Sequence, residues 1–162
     1  MPPSSASGPA ATAVDFDEIP GYHIRRLQQI AVAIFLQETE ASGLTPVQYG
    51  ALQAIANQPG SDQRTLARSI GLDTSTVAGV IDRLEARGLV QRNQSADDRR
   101  VRLLTLTPSG RALRVKVVPA MRRAQARILA PLPPSERGEF MRMLRTLVKA
   151  NNELSRAPSE GG

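Results

Sequence analysis

From about Tyr22 to Glu40, apolar residues recur at Ile24, Leu27, Ile30, Ile34 and Phe35, the three- and four-residue spacing of a helix with one apolar face, and the pattern ends near Ser42-Gly43. Thr45, Pro46 and Gln48 then supply an N-cap, a proline at the first helical position and a capping-box partner, so a second helix runs to about Asn57. Pro59-Gly60 stops it. Ser61 or Asp62 caps a short helix carrying Leu66, Ala67 and Ile70 and ending at Gly71. Asp73 or Thr74 caps a fourth helix over 73–87, where Val77, Val80, Ile81 and Leu84 form one stripe and Gly88 closes the element.

The period then changes. Leu89 to Arg92 and Val101 to Thr107 are short, β-compatible segments separated by the polar run Asn93 to Arg100, which reads as a hairpin with an arginine-tipped loop. Thr107-Pro108-Ser109-Gly110 opens a long helix with Leu113, Val117, Met121, Ala124 and Ile128 on one stripe, in which Pro119 is a candidate kink. Leu132-Pro133-Pro134-Ser135 breaks the chain before a last helix with Phe140, Leu144, Leu147 and Val148. Residues 1–14, rich in Pro, Ser, Ala and Gly without periodicity, read as a disordered tail, and 155–162 as a frayed end.

Helix, helix, turn, helix and then a two-stranded hairpin is the winged helix-turn-helix order, in which the second helix of the turn enters the major groove and the hairpin reaches the neighbouring backbone. The fold class is therefore mainly α with a small β-hairpin wing. On helix 73–87 the face opposite the apolar stripe is Ser75, Gly79, Asp82 and Ala86, flanked by Thr76 and Arg83. A glycine in mid-helix costs about 0.5–1 kcal/mol relative to alanine, so Gly79 either admits a close external surface or relieves crowding.

Composition changes the picture in two ways. The chain has no cysteine and a single histidine, His23, which removes thiol chemistry, thiolate zinc, iron–sulfur clusters and multi-histidine metal centres. No cofactor is expected. A Gly-rich phosphate loop and a credible triad are also missing, so the chain does not read as an enzyme. The longest strongly apolar run, Ile30 to Leu36, has seven residues, against the ~20 that span a bilayer. With no basic n-region and apolar h-region at the N-terminus, the sequence reads as that of a cytoplasmic protein without a membrane partner.

The net charge of +6 is local: Arg83 to Arg127 holds 12 basic and 3 acidic residues, while the remainder holds 9 basic and 12 acidic. Nineteen of the 21 basic residues are arginine, the side chain suited to bidentate contact with phosphate or guanine. Thr74, Ser75, Thr76 and Gly79 are candidate groove contacts because short hydroxyl residues approach phosphates and bases without steric conflict. Arg83 is placed for a phosphate or a guanine, Arg99 with Arg100 for the wing contact, Arg99 entering the minor groove, and Arg64 with Arg68 for phosphate clamping.

Three segments carry a family resemblance: Leu44-Thr45-Pro46-Val47-Gln48-Tyr49; Val80-Ile81-Asp82-Arg83-Leu84-Glu85-Ala86-Arg87-Gly88-Leu89-Val90; and Asp98-Arg99-Arg100 followed by Leu104-Thr105-Leu106-Thr107-Pro108-Ser109-Gly110. Together, over about residues 20–150, they resemble the MarR family of bacterial transcription regulators, and within it the repressors of aromatic-acid degradation, including the nicotinate branch. The resemblance implies an obligate homodimer that binds a pseudo-palindromic double-stranded DNA operator. Its organisation is a dimerisation helix within 15–44, a winged helix-turn-helix DNA-binding domain over 45–110 and C-terminal dimerisation helices over 111–154. The apolar stripes of the terminal helices exceed what a winged domain needs, which points the same way.

The resemblance further implies that Asp82 and Asp98 position the wing by pairing with arginines such as Arg100 or Arg83. Where the family has Asp-Pro before the x-D-R-R run, this chain has Ser95-Ala96, which bears on the rigidity of the wing. The family's pocket lies between the dimerisation helices and the winged domain, and Tyr22, His23, Arg26, Gln48 and Tyr49 are the candidates to line it. An Arg and a His beside aromatic rings suit a small aromatic carboxylate. The absence of cysteine excludes thiol oxidation as the signal. The competing expectation is a non-catalytic helical protein whose basic stripe meets an acidic protein partner.

Overall fold

The computed structural model describes residues 13–155 and 157–158; most of both expected tails lies outside the described residues. A 3-10 turn, Phe16–Glu18, leads into α1 (Pro20–Glu38), which begins on its proline. A second 3-10 turn, Glu40–Ser42, ends on Gly43 in the left-handed conformation at φ +63°. There follow α2 (Pro46–Asn57), β1 (Ser61–Asp62), α3 (Gln63–Ile70), α4 (Thr74–Ala86), β2 (Val90–Gln94), β3 (Arg102–Leu106), α5 (Pro108–Leu129) and α6 (Pro134–Ala150).

The helix starts follow from side-chain caps. Thr45 Oγ1 accepts from the Gln48 amide, and Gln48 Oε1 accepts from the Thr45 amide, both at 3.1 Å, closing the expected capping box of α2. Asp62 caps α3 through the Thr65 amide at 2.8 Å, and Asp73 caps α4 through the Thr76 amide at 2.8 Å. α5 runs through Pro119 without interruption.

β1, β3 and β2 form an antiparallel sheet in that spatial order, with Val90 opposite Leu106, Gln94 opposite Arg102 and Ser61 opposite Leu104. The sheet differs from expectation at two points. The first wing strand reaches Gln94, two residues further, and β1 was not expected, because two residues are too few to show alternation and Asp62 serves at the same time as a helix cap.

The core lies inside the winged unit, where Leu52, Ile55, Leu66, Val77, Ile81, Leu84, Val90 and Leu104 are fully buried. Phe35 of α1 and Tyr49 of α2 meet at 5.9 Å between ring centroids, and Val117 and Ala124 of α5 close the same cluster. α1 packs along α5. By contrast α6 buries no residue, and Ile24, Met143, Leu147 and Val148 stay 45–67% exposed. Among the described residues no helix is long and apolar enough to cross a membrane.

Candidate nucleic-acid interface

Burying Val77, Val80, Ile81 and Leu84 turns Thr74, Ser75, Thr76, Asp82 and Arg83 of α4 outward, with Gly79 half-buried between them. The Asp73 carboxylate accepts from both the Thr76 amide and, at 2.6 Å, the Thr76 hydroxyl, so Thr76 belongs to the cap as well as to the face. Gln63 Nε2 donates to the Thr74 carbonyl at 3.1 Å, locking α3 against the start of α4. A Cβ built on Gly79 meets nothing within 4 Å, so crowding inside the chain does not account for the glycine.

Arg83 is exposed and, among the described residues, has no carboxylate within 4 Å. The expected partner of Asp82 was Arg83 or Arg100. The structure corrects this: Asp82 Oδ1 accepts from Arg92 Nη2 at 2.6 Å, while Arg92 Nη1 donates to Glu85 Oε2 at 2.7 Å. Asp82 and Glu85 lie three residues apart on α4, one helical step, so one planar guanidinium in the middle of β2 spans both and pins the wing to the helix. Arg92 is three-quarters buried, with 24% of its side chain exposed. It was missed because nothing local marks an arginine in a strand as the partner of a helix turn seven and ten residues earlier.

Asp98 does meet Arg100, but inside the wing tip. Its Oδ1 accepts from the Arg100 amide at 2.9 Å and Arg100 Nε at 3.3 Å, and its carbonyl accepts from the Val101 amide at 3.0 Å. The Ser95 amide donates to the Val101 carbonyl at 3.0 Å, Ser95 Oγ accepts from the Asp97 amide, and Gln94 Nε2 donates to the Arg99 carbonyl at 3.0 Å. The tip is thus closed by its own hydrogen bonds, and the side chains of Arg99 and Arg100 point to solvent, that of Arg100 91% exposed. Arg64 is exposed on α3, whereas Arg68 is half-buried.

Two further ties join this face to the rest of the chain. Arg87, the C-cap of α4, donates to the Ser42 carbonyl at 2.8 Å and the Gly43 carbonyl at 3.2 Å, holding the end of the candidate recognition helix to the turn between α1 and α2. Glu38, at the end of α1, accepts from Arg127 at 2.9 Å and Arg123 at 3.0 Å on α5. The Arg127 and Arg123 hydrogen bonds hold the Glu38 carboxyl below the usual glutamate range. A carboxylate lowered in this way stabilises the fold at neutral pH and loses that contribution as pH falls through its folded value.

The five candidate pocket residues do not share one cavity within the chain. His23 and Arg26 line a cavity of about 530 Å³ between α1 and α6, walled by Ile24, Leu27, Phe140 and Leu144. Arg26 Nη1 donates to the Tyr22 hydroxyl at 3.2 Å, and a His23 ring nitrogen lies 2.9 Å from the Asp17 carbonyl. Gln48 is spent on the α2 cap, and Tyr49 is buried against Phe35, nine residues beyond Arg26 on the helix axis, or about 13 Å. Sequence spacing put these residues on neighbouring helices but did not say at which end.

The sequence pattern that defines the MarR family matches residues 42–101. The chain is 37% identical over 134 residues to a putative transcriptional regulatory protein for the hcr operon of Thauera aromatica, covering 82% of this chain and 81% of that one. It is 31% identical to the transcriptional repressor NicR of Pseudomonas putida, covering 86% and 89% of the two chains. A solved structure of Bordetella bronchiseptica BpsR, described for the regulation of its DNA binding by 6-hydroxynicotinic acid, superposes with a TM-score of 0.78 at 36% identity, covering 83% of this chain and 96% of that one. The chain belongs to the MarR family of transcriptional regulators.

Proposed function

We propose that this protein is a sequence-specific DNA-binding repressor that works in the cytoplasm as a homodimer and is released from a pseudo-palindromic operator by a small aromatic carboxylate. The observation that carries the reading is the docking of the wing onto α4 by Arg92, which sets Arg83, Arg99 and Arg100 on a surface where no carboxylate neutralises Arg83 or Arg99 among the described residues. α4 supplies a groove-sized face with Thr74, Ser75, Thr76 and Gly79, and Arg64 stands beside it on α3 for a phosphate.

The exposed apolar residues of α1 and α6 support the dimer, since contiguous exposed apolar surface on terminal helices is the usual mark of a partner. His23 and Arg26 support the effector. They stand at an apolar cavity, and Arg26 has no carboxylate partner among the described residues, so an acid group would find a guanidinium and a ring would find Ile24, Leu27 and Phe140. The relation to BpsR and NicR favours a nicotinate-pathway metabolite or a related ring acid.

Gly79→Ala tests the reading because it separates folding from binding. The alanine is expected to raise stability by about 0.5–1 kcal/mol and to lower affinity for the DNA upstream of the gene about tenfold, measured by mobility shift beside thermal unfolding. A variant that is more stable and binds that DNA as tightly as the parent would remove the groove role of α4. In the same assay 6-hydroxynicotinate or benzoate is expected to release the parent, and Arg26→Gln to need far more ligand. Release that is unchanged in Arg26→Gln would move the effector elsewhere.

A further inference from the structure

A second cavity, of about 260 Å³, lies where α2, β3 and α5 meet, bounded by Ile55, Ala56, Pro59, Leu106, Arg111 and Arg114. An apolar cavity of about 150 Å³ suffices for benzene, so there is room for one ring bearing one acid group. Two of its walls are guanidinium groups three residues apart on the first turns of α5, hence on one face of that helix. Arg111 Nη1 donates to the Leu106 carbonyl at 2.9 Å and Arg114 Nη1 to Gln53 Oε1 at 3.1 Å. Among the described residues neither has a carboxylate within 4 Å. Arg114 Nε is buried and has no acceptor.

Each of these facts leaves the site one ligand short. Like charges at this spacing repel unless an anion lies between them, and a buried guanidinium N–H without an acceptor is a cost that an incoming carboxylate removes. The opposite wall is aliphatic, with Ile55 fully buried and Leu106 nearly so. We infer that this junction is a second small-molecule site, which takes a single-ring carboxylate with its acid group between Arg111 and Arg114 and its ring against Ile55, Ala56 and Leu106. The site joins the winged unit to α5, and it does not rest on the effector reading at His23 and Arg26, which line a different cavity.

The test uses the whole wild-type chain with 15N-labelled arginine, titrated with benzoate and separately with inorganic phosphate, following the guanidinium Nε–H resonances. Benzoate is expected to shift Arg114 and Arg111 saturably, with phosphate at least tenfold weaker because it cannot use the aliphatic wall. Calorimetry should then show this benzoate site weakened at least tenfold in Arg111→Gln/Arg114→Gln and changed less than twofold in Arg26→Gln. Saturating benzoate that leaves both resonances in place, phosphate binding as tightly as benzoate, or a folded double variant with unaltered benzoate stoichiometry and affinity would each overturn the proposal. The wild-type titration decides alone if the double variant fails to fold. Failure of Arg26→Gln to alter ligand release of DNA, with these two resonances still shifting, would count against the effector reading and leave this one standing.

Discussion

Gly110→Ala is expected to lower stability by about 3 kcal/mol, the upper range for forcing a methyl group into a closed site. A Cβ at Gly110 would fall far inside contact distance of the Leu89 carbonyl oxygen, and the atoms in the way are backbone, which cannot rotate aside. The approach is close because the base of the wing is tied off there. Thr107 donates from its amide to the Leu89 carbonyl at 3.1 Å and from its hydroxyl to the Gly88 carbonyl at 2.6 Å, then caps α5 through the Gly110 amide at 3.0 Å. Urea unfolding at fixed protein concentration reads the effect, with Gly138→Ala as the control, since a Cβ there meets nothing within 4 Å. Equal midpoints for the two variants would mean that the wing base is looser than described.

Arg92→Ala is expected to cost about ten- to a hundredfold in operator affinity while lowering stability by only about 1 kcal/mol, the usual order for partly exposed ion pairs. The disproportion arises from position. Without the guanidinium, β2 is no longer held to α4, Arg99 and Arg100 lose their placement, and Asp82 and Glu85 are left as two unpaired negative charges next to the DNA-binding face. The slope of log affinity against log salt should fall by about 2 as the two wing arginines disengage. Arg92→Lys should recover part of the loss, because one ammonium can reach one carboxylate but not fork between two. Unchanged affinity and slope in Arg92→Ala, measured by fluorescence anisotropy, would show that the wing is placed by other contacts.

Local chemistry was legible and distant pairing was not. The α2 capping box, the Asp62 and Asp73 caps and the left-handed glycines at 43, 71 and 88 all follow from residues within a turn of one another, and the structure has them where spacing puts them. The apolar stripe of α4 likewise fixes which face is outward, and so places Thr74, Ser75, Gly79 and Arg83 together. The partner of Asp82 could not be read this way. Charge complementarity nominated any nearby arginine, and the winner was decided by the twist and register of β2 on β3, which bring Arg92 under α4. The same limit applied to the pocket residues: period assigns Tyr22, His23 and Arg26 to one helix and Gln48 and Tyr49 to the next, but only packing shows that Tyr49 meets the far end of α1. The Arg87 tie to Ser42 and Gly43 spans more than forty residues and leaves no periodic trace.

The most direct measurement is an anisotropy titration of the whole protein on the duplex upstream of its gene and on a shuffled duplex of the same composition, repeated from low to physiological salt. A repressor built as described should prefer the upstream duplex by about a thousandfold or more at physiological salt, with both affinities falling steeply as salt rises. Equal affinity for the two duplexes across the whole salt range would contradict it, leaving a basic surface that meets polyanions without reading them.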